Sequence, residues 1–146
     1  MWFVGKDCGL INTRFKTDSK AEIKALSSVS YQAAINAMAH ADVLIGLSNF
    51  VPVHMPSKTV EYINAGKPFI NYYRREDCPT LYYTKRYPAC LNILEDSTDV
   101  ESATKQTIDF CIENRGKTVD TSNLEEVFPD CSTKFIAESI LQLIEK

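Results

Sequence analysis

Met55-Pro56-Ser57-Lys58-Thr59-Val60-Glu61-Tyr62-Ile63-Asn64-Ala65-Gly66-Lys67-Pro68-Phe69-Ile70 reads as a loop, a short helix, a glycine stop and a buried strand. Proline fits at or just before a first helical turn, where its missing N–H costs nothing. Ser57 stands where an N-cap is expected, and Gly66 with Pro68 ends the helix, which the pattern places over residues 57–65. Pro68 then opens a strand over residues 68–73. Just upstream, Val43-Leu44-Ile45-Gly46-Leu47 is an unbroken apolar run between Asp42 and Ser48-Asn49. Such a run is the mark of a strand buried on both faces, as in a parallel sheet.

The same alternation extends outward. Trp2-Phe3-Val4-Gly5 is a short strand ended by glycine, and residues 6–24 read as loop with at most a helical turn. Residues 25–29 form a second strand. Ser30 caps a helix in which Tyr31, Ala34, Ile35 and Met38 recur at helical spacing. Beyond the motif, Asp77 and Pro79 open a short helix ending near Arg86, and residues 89–94 form a strand. Ser97 caps a long helix reaching Asn114, with Val100, Ala103, Thr107, Ile108 and Cys111 as its inner stripe and Gly116 as its stop. A polar segment over residues 117–130 leads to a last amphipathic helix carrying Ile136, Ile140 and Leu143 on one face. Strands alternating with helices predict an α/β domain, a Rossmann-like three-layer fold with a mostly parallel sheet spanning residues 1–146.

Composition narrows the function. The 146 residues carry 16 basic and 19 acidic side chains, a net charge of −3, with no Lys/Arg run, which argues against a nucleic-acid backbone as partner. Apolar stretches are a few residues each, against the ~20 needed to span a bilayer, and Lys6 and Asp7 interrupt the apolar start. Cys8, Cys78, Cys90, Cys111 and Cys131 are odd in number and make no C-x-x-C pair, so zinc and redox motifs fail and a reduced, cytoplasmic setting fits. Cys90 and Cys111 fall at apolar positions and read as small core residues. No Asp-x-Asp pair, Walker loop, G-x-G-x-x-G or G-x-S-x-G occurs. Glu95, Asp96 and Asp99 read as acidic residues at a helix start and no metal site is expected. Arg74, Arg75 and Glu76 read as a solvated charged turn. Tyr72, Tyr73, Tyr82, Tyr83 and Tyr87 read as packing aromatics, and His54 as an exposed loop residue.

The motif itself carries chemistry. In an open parallel sheet, ligands bind outside the carboxyl ends of the strands, where the loop after Leu47 delivers the helix. Free N–H groups at that helix start favour a phosphate, Ser57 and Thr59 can add hydroxyls, and Lys58 adds charge. Glu61 lies about 6 Å further along the axis, near where the ribose of a bound nucleoside diphosphate would fall. Its two oxygens suit paired hydroxyls. The plainer alternative is an ordinary cap at Ser57, with Glu61 solvated or paired with Lys58 or Lys67.

Pro56-Ser57-Lys58-Thr59-Val60-Glu61-Tyr62 followed by Ala65-Gly66-Lys67-Pro68-Phe69-Ile70 resembles the donor-binding segment of GT-B glycosyltransferases. It is similar to that of bacterial enzymes of capsule and surface-polysaccharide synthesis. The likeness runs back to Tyr31 and forward through Tyr87-Pro88-Ala89-Cys90-Leu91-Asn92-Ile93. It implies the C-terminal, donor-binding half of a GT-B architecture, with Asn49, Pro56, Ser57, Lys58, Thr59 and Glu61 as nucleotide-binding residues. It further implies a nucleotide-sugar substrate, a UDP-sugar by preference, and no separate cofactor. The expected partner is an N-terminal acceptor domain or subunit, and the expected setting is cytoplasmic, reaching the inner face of the membrane through a full-length enzyme. Val53 departs from the family pattern: it stands eight positions before Glu61, where retaining members carry a second glutamate. Nothing before Lys6 matches the family's diphosphate-gripping Arg and Lys. A non-catalytic interaction or regulatory module of the same fold is the alternative.

Overall fold

A computed structural model describes residues 1–5, 23–49, 51, 54–95 and 99–144. The reading of residues 6–22, the departure at Val53, and Asp96 and Ser97 lie outside these. The chain divides into two compact units, Met1–His40 and Ala41–Lys146.

In the first unit, strand β1 (Trp2–Val4) pairs in parallel with β2 (Lys24–Leu26), Phe3 opposite Ala25. The β2 strand is shorter than the expected 25–29, because β1 stops at Gly5, whose N–H donates to the Leu26 carbonyl at 3.1 Å. Helix α1 (Tyr31–His40) starts as expected, with Ser30 Oγ accepting the Ala33 N–H at 3.3 Å. Ala34, Ile35 and Met38 are half-buried together, as the spacing predicts, whereas Tyr31 is exposed.

The second unit holds β3 (Leu44–Leu47), β4 (Phe69–Tyr73) and β5 (Cys90–Leu94), all parallel, in the order β3-β4-β5. Between and after them run α2 (Ser57–Asn64), α3 (Thr80–Thr84) and α4 (Val100–Asn114). Side chains alternate across a strand. Phe69, Asn71 and Tyr73 therefore share one face of β4, and Ile70 and Tyr72 the other. Tyr62 of α2 meets Phe69 edge-on at 6.0 Å, and Thr80 of α3 lies within hydrogen-bond reach of Asn71, so α2 and α3 cover the first face. The Tyr72 hydroxyl meets Thr107 Oγ1 of α4 at 2.6 Å on the opposite face. The unit is thus a three-layer α/β sandwich with a parallel sheet. Phe69 and Ile70 are almost wholly buried at its centre, each worth about 1.5–3 kcal/mol of apolar burial.

Glycine is required at one turn. Gly66 sits at φ +63, and a Cβ there would lie 2.9 Å from Thr121 Cγ2 and 3.0 Å from the Val119 carbonyl oxygen. The Val119 N–H donates to the Gly66 carbonyl at 2.8 Å, pinning the polar segment 117–121 across the end of α2.

Helix α4 has Asp99 at its N-cap position, without a side-chain hydrogen bond. Its half-buried residues are Ala103, Thr107, Phe110, Cys111 and Asn114, whereas Val100 is 79% exposed and Ile108 is exposed. The polar segment also contains a helical turn, α5 (Leu124–Val127), and a 3-10 turn (Pro129–Cys131), which drive Phe128 into the core against Tyr83. The last helix, α6 (Thr133–Ile144), carries Ile136, Ile140 and Leu143 exposed. Among the described residues no helix is long and apolar enough to cross a membrane.

Candidate functional site

The carboxyl end of β3 is held by a polar network. Ser48 Oγ donates to Asn71 Oδ1 at 3.2 Å and lies 3.1 Å from Thr80 Oγ1. Asn71 Nδ2 donates to Asn92 Oδ1 at 2.9 Å, which also accepts Thr84 Oγ1 at 2.6 Å. Asn71, Thr80 and Thr84 are buried, so these bonds replace water and fix the strand ends relative to α3. Asn49 follows, its Nδ2 donating to the His54 carbonyl at 3.3 Å across the loop.

Helix α2 then begins one residue earlier in its capping than expected. Pro56, extended at φ −60 and ψ 128, occupies the N-cap, and Ser57 is the first helical residue. Proline has no side-chain oxygen to offer, so the first turn lacks a side-chain cap. The Pro56 carbonyl accepts the Thr59 N–H at 3.0 Å. The Ser57 and Lys58 N–H groups meet no acceptor among the described residues.

Lys58 Nζ and Glu61 Oε2 stand 2.5 Å apart, with the side chains 51% and 27% exposed. The plainer reading of Glu61, as a partner for Lys58, is therefore realised. An exposed pair three residues apart is worth at most about 1 kcal/mol, so a ligand that rewards both groups can open it.

A cleft of about 250 Å³ lies between Ile45, Gly46 and Leu47 of β3 and Pro56, Lys58, Thr59 and Tyr62 of α2, floored by Phe69 and Asn71. Of the expected site residues, Pro56, Lys58 and Thr59 line it, while Asn49, Ser57 and Glu61 do not. Thr59 is buried, so its hydroxyl is not openly offered. Sequence reasoning missed Gly46, Tyr62 and Asn71. The glycine brings the Tyr62 ring to 3.5 Å from where its Cβ would be. A glycine or an asparagine inside an apolar strand run is itself a signal of close approach or a polar contact. Burial pushes the Tyr62 phenol above its ordinary range, Lys58 pulls it down by less, and Glu61 adds to the rise.

Elsewhere the charged turn is paired. Arg74 Nε lies 2.5 Å from Glu95 Oε2, and Arg75 donates twice to Asp77 at 2.8 Å. The Arg75 guanidinium holds the Asp77 carboxyl below its usual range. Tyr73 and Tyr87 pack in the core, whereas Tyr82 is exposed with Arg86 stacked 3.9 Å above its ring. His54 is exposed. No group of three His, Cys, Asp or Glu side chains among the described residues could hold a metal. Cys78, Cys90 and Cys111 are free thiols, and burial pushes Cys90 up to about 12.

Compared with known proteins, the chain matches no family model, no curated protein and no solved structure.

Proposed function

We propose that this chain is the donor-nucleotide half of a glycosyltransferase, binding a nucleoside-diphosphate sugar, a UDP-sugar by preference. The full enzyme would pass the sugar to an acceptor hydroxyl in polysaccharide or glycoconjugate synthesis on the cytoplasmic side. The observation that carries the reading is the uncapped first turn of α2 at the carboxyl end of parallel strand β3, with Lys58 and Glu61 side by side at its start. The diphosphate would sit on the Ser57 and Lys58 N–H groups and the Lys58 ammonium. Glu61, released from Lys58, would accept the ribose hydroxyls. As the bond from the sugar to the diphosphate breaks and the bond to the acceptor oxygen forms, charge on the leaving group is stabilised by the same groups. The acceptor pocket and the base that takes the acceptor proton belong to a partner domain or subunit.

A second reading is a non-catalytic interaction or regulatory module of the same fold. The mutual pairing of Lys58 and Glu61 favours it, since it leaves neither group waiting for a ligand. Calorimetric titration of the chain with UDP, ADP and GDP separates the two. Binding of UDP that Glu61→Ala weakens supports the donor site, and no heat with any of the three leaves the module. Sugar transfer by the isolated chain would contradict the claim that a partner supplies the base.

A further inference from the structure

The charges of α2 run the wrong way round for a helix. Aligned peptide dipoles make a helix start positive, so a carboxylate belongs there and a cation at the far end. Pairs with glutamate N-terminal to lysine are accordingly the stronger ones. In α2 the order is reversed: the first turn holds Lys58 and no acidic residue, and Glu61 follows in the last turn, which holds no basic one. Pro56 adds no side-chain cap, and the Ser57 and Lys58 N–H groups meet no acceptor among the described residues. Positive charge is thereby gathered at the helix start. Glu61 Oε2, 2.5 Å from Lys58 Nζ, answers it, and neither side chain makes another ion pair among the described residues. A local rule broken without a gain in stability marks a functional position.

The same geometry makes Glu61 a rival of any anion that comes to Lys58. A phosphate oxygen within hydrogen-bond reach of Nζ also comes close to Oε2, and like charges at such range repel. Glu61 must then give way. A bare diphosphate offers its carboxylate nothing in exchange. A diphosphate that carries a ribose offers two neighbouring hydroxyls, both donors to the carboxylate oxygens.

We infer that Glu61 is a competitor built into the donor site, holding Lys58 until a diphosphate arrives that brings a pair of hydroxyls for the carboxylate to accept. The site therefore selects ribonucleoside diphosphates over inorganic diphosphate and over their 2′-deoxy counterparts. Rejection of the wrong anion contributes to this choice as well as attraction of the right one. The inference rests on the donor-site reading and gives the pairing of Lys58 with Glu61 a use within it.

Calorimetric titration with inorganic diphosphate, UDP and 2′-deoxy-UDP, without divalent metal, tests it on the unaltered chain, Glu61→Gln, Lys58→Ala and the double variant. Glu61→Gln keeps the side chain's size and removes its charge, and an unchanged amide spectrum away from α2 marks the fold as intact. Glu61→Gln should bind inorganic diphosphate about fivefold tighter than the unaltered chain, the measure of an exposed ion pair released. The same variant should bind UDP about tenfold weaker and no longer distinguish it from 2′-deoxy-UDP. Beside Lys58→Ala the gain for diphosphate should vanish, because the rival has nothing left to hold. Unchanged or weaker diphosphate binding by Glu61→Gln, while UDP still binds the unaltered chain, overturns the inference and leaves the donor site standing. A gain that persists in full beside Lys58→Ala also overturns it, since Glu61 would then act as a general repelling charge. Absence of binding by UDP and diphosphate in every variant overturns this inference and the donor-site reading together.

Discussion

Replacing Gly66 by alanine tests the packing that ends the motif helix. The residue sits at φ +63, where an L side chain costs about 1–2 kcal/mol. Its new Cβ would also press on Thr121 Cγ2 at 2.9 Å and the Val119 carbonyl at 3.0 Å. Relief by moving the segment away stretches the 2.8 Å bond from the Val119 N–H to the Gly66 carbonyl. Overpacking of this kind costs about 1–3 kcal/mol, and the stiffer unfolded chain returns about 0.4–1 kcal/mol. The net loss is about 3 kcal/mol. For a domain near 100 residues, that lowers Tm by about 12 °C or more. The assay is thermal and urea unfolding of Gly66→Ala, Thr121→Ser and the double variant. Thr121→Ser removes the clashing methyl, so the double variant should recover about 1 kcal/mol of the loss. A loss below about 0.5 kcal/mol for Gly66→Ala, or no recovery in the double variant, refutes the reasoning.

Asn71→Ala strips the donor from Asn92 and the acceptor from Ser48 inside the buried network, and urea unfolding should show a loss of about 2–3 kcal/mol. Alkali should destabilise the fold in a defined window. Burial holds Tyr87 and Cys90 at about 12, against 10.0 and 9.0 in ordinary surroundings. Both folded values are raised, so this stability is complete below about pH 9 and is lost as pH rises toward 12, while the unfolded chain ionises first. The urea midpoint measured from pH 8 to 11 should fall, and Tyr87→Phe should flatten the upper part of that fall. Lys58→Ala breaks only an exposed pair, so its thermal stability should change by less than about 0.5 kcal/mol.

The three strands of the second unit were legible because each is an apolar run closed by polar residues or glycine. The ends of α2 were legible because proline and glycine punctuate them. What failed has physical causes. In α4, periodicity admitted Val100 and Ile108, but Ala103, Thr107, Phe110, Cys111 and Asn114 fall at spacings of four, three, one and three and so form one stripe. Val100 is the first helical residue, and Ile108 lies well off that stripe. Phe128 was hidden in a segment rich in acidic and polar residues, where a single aromatic gives no period, and its burial depends on Tyr83 far away in sequence. At the site, proline took the cap position that serine usually holds, which moved Ser57 into the helix. The strand Phe69-Ile70-Asn71-Tyr72-Tyr73 was read for its apolar residues, and the odd asparagine was the informative one.

Amide chemical shifts of the isotope-labelled chain titrated with UDP address the donor site most directly. The account predicts weak, saturable binding that moves the Ser57, Lys58 and Thr59 amides first, with Glu61→Ala and Lys58→Ala each weakening it about tenfold, the value of a single charged contact. Shifts absent at millimolar UDP, or confined to residues far from the start of α2, would contradict it.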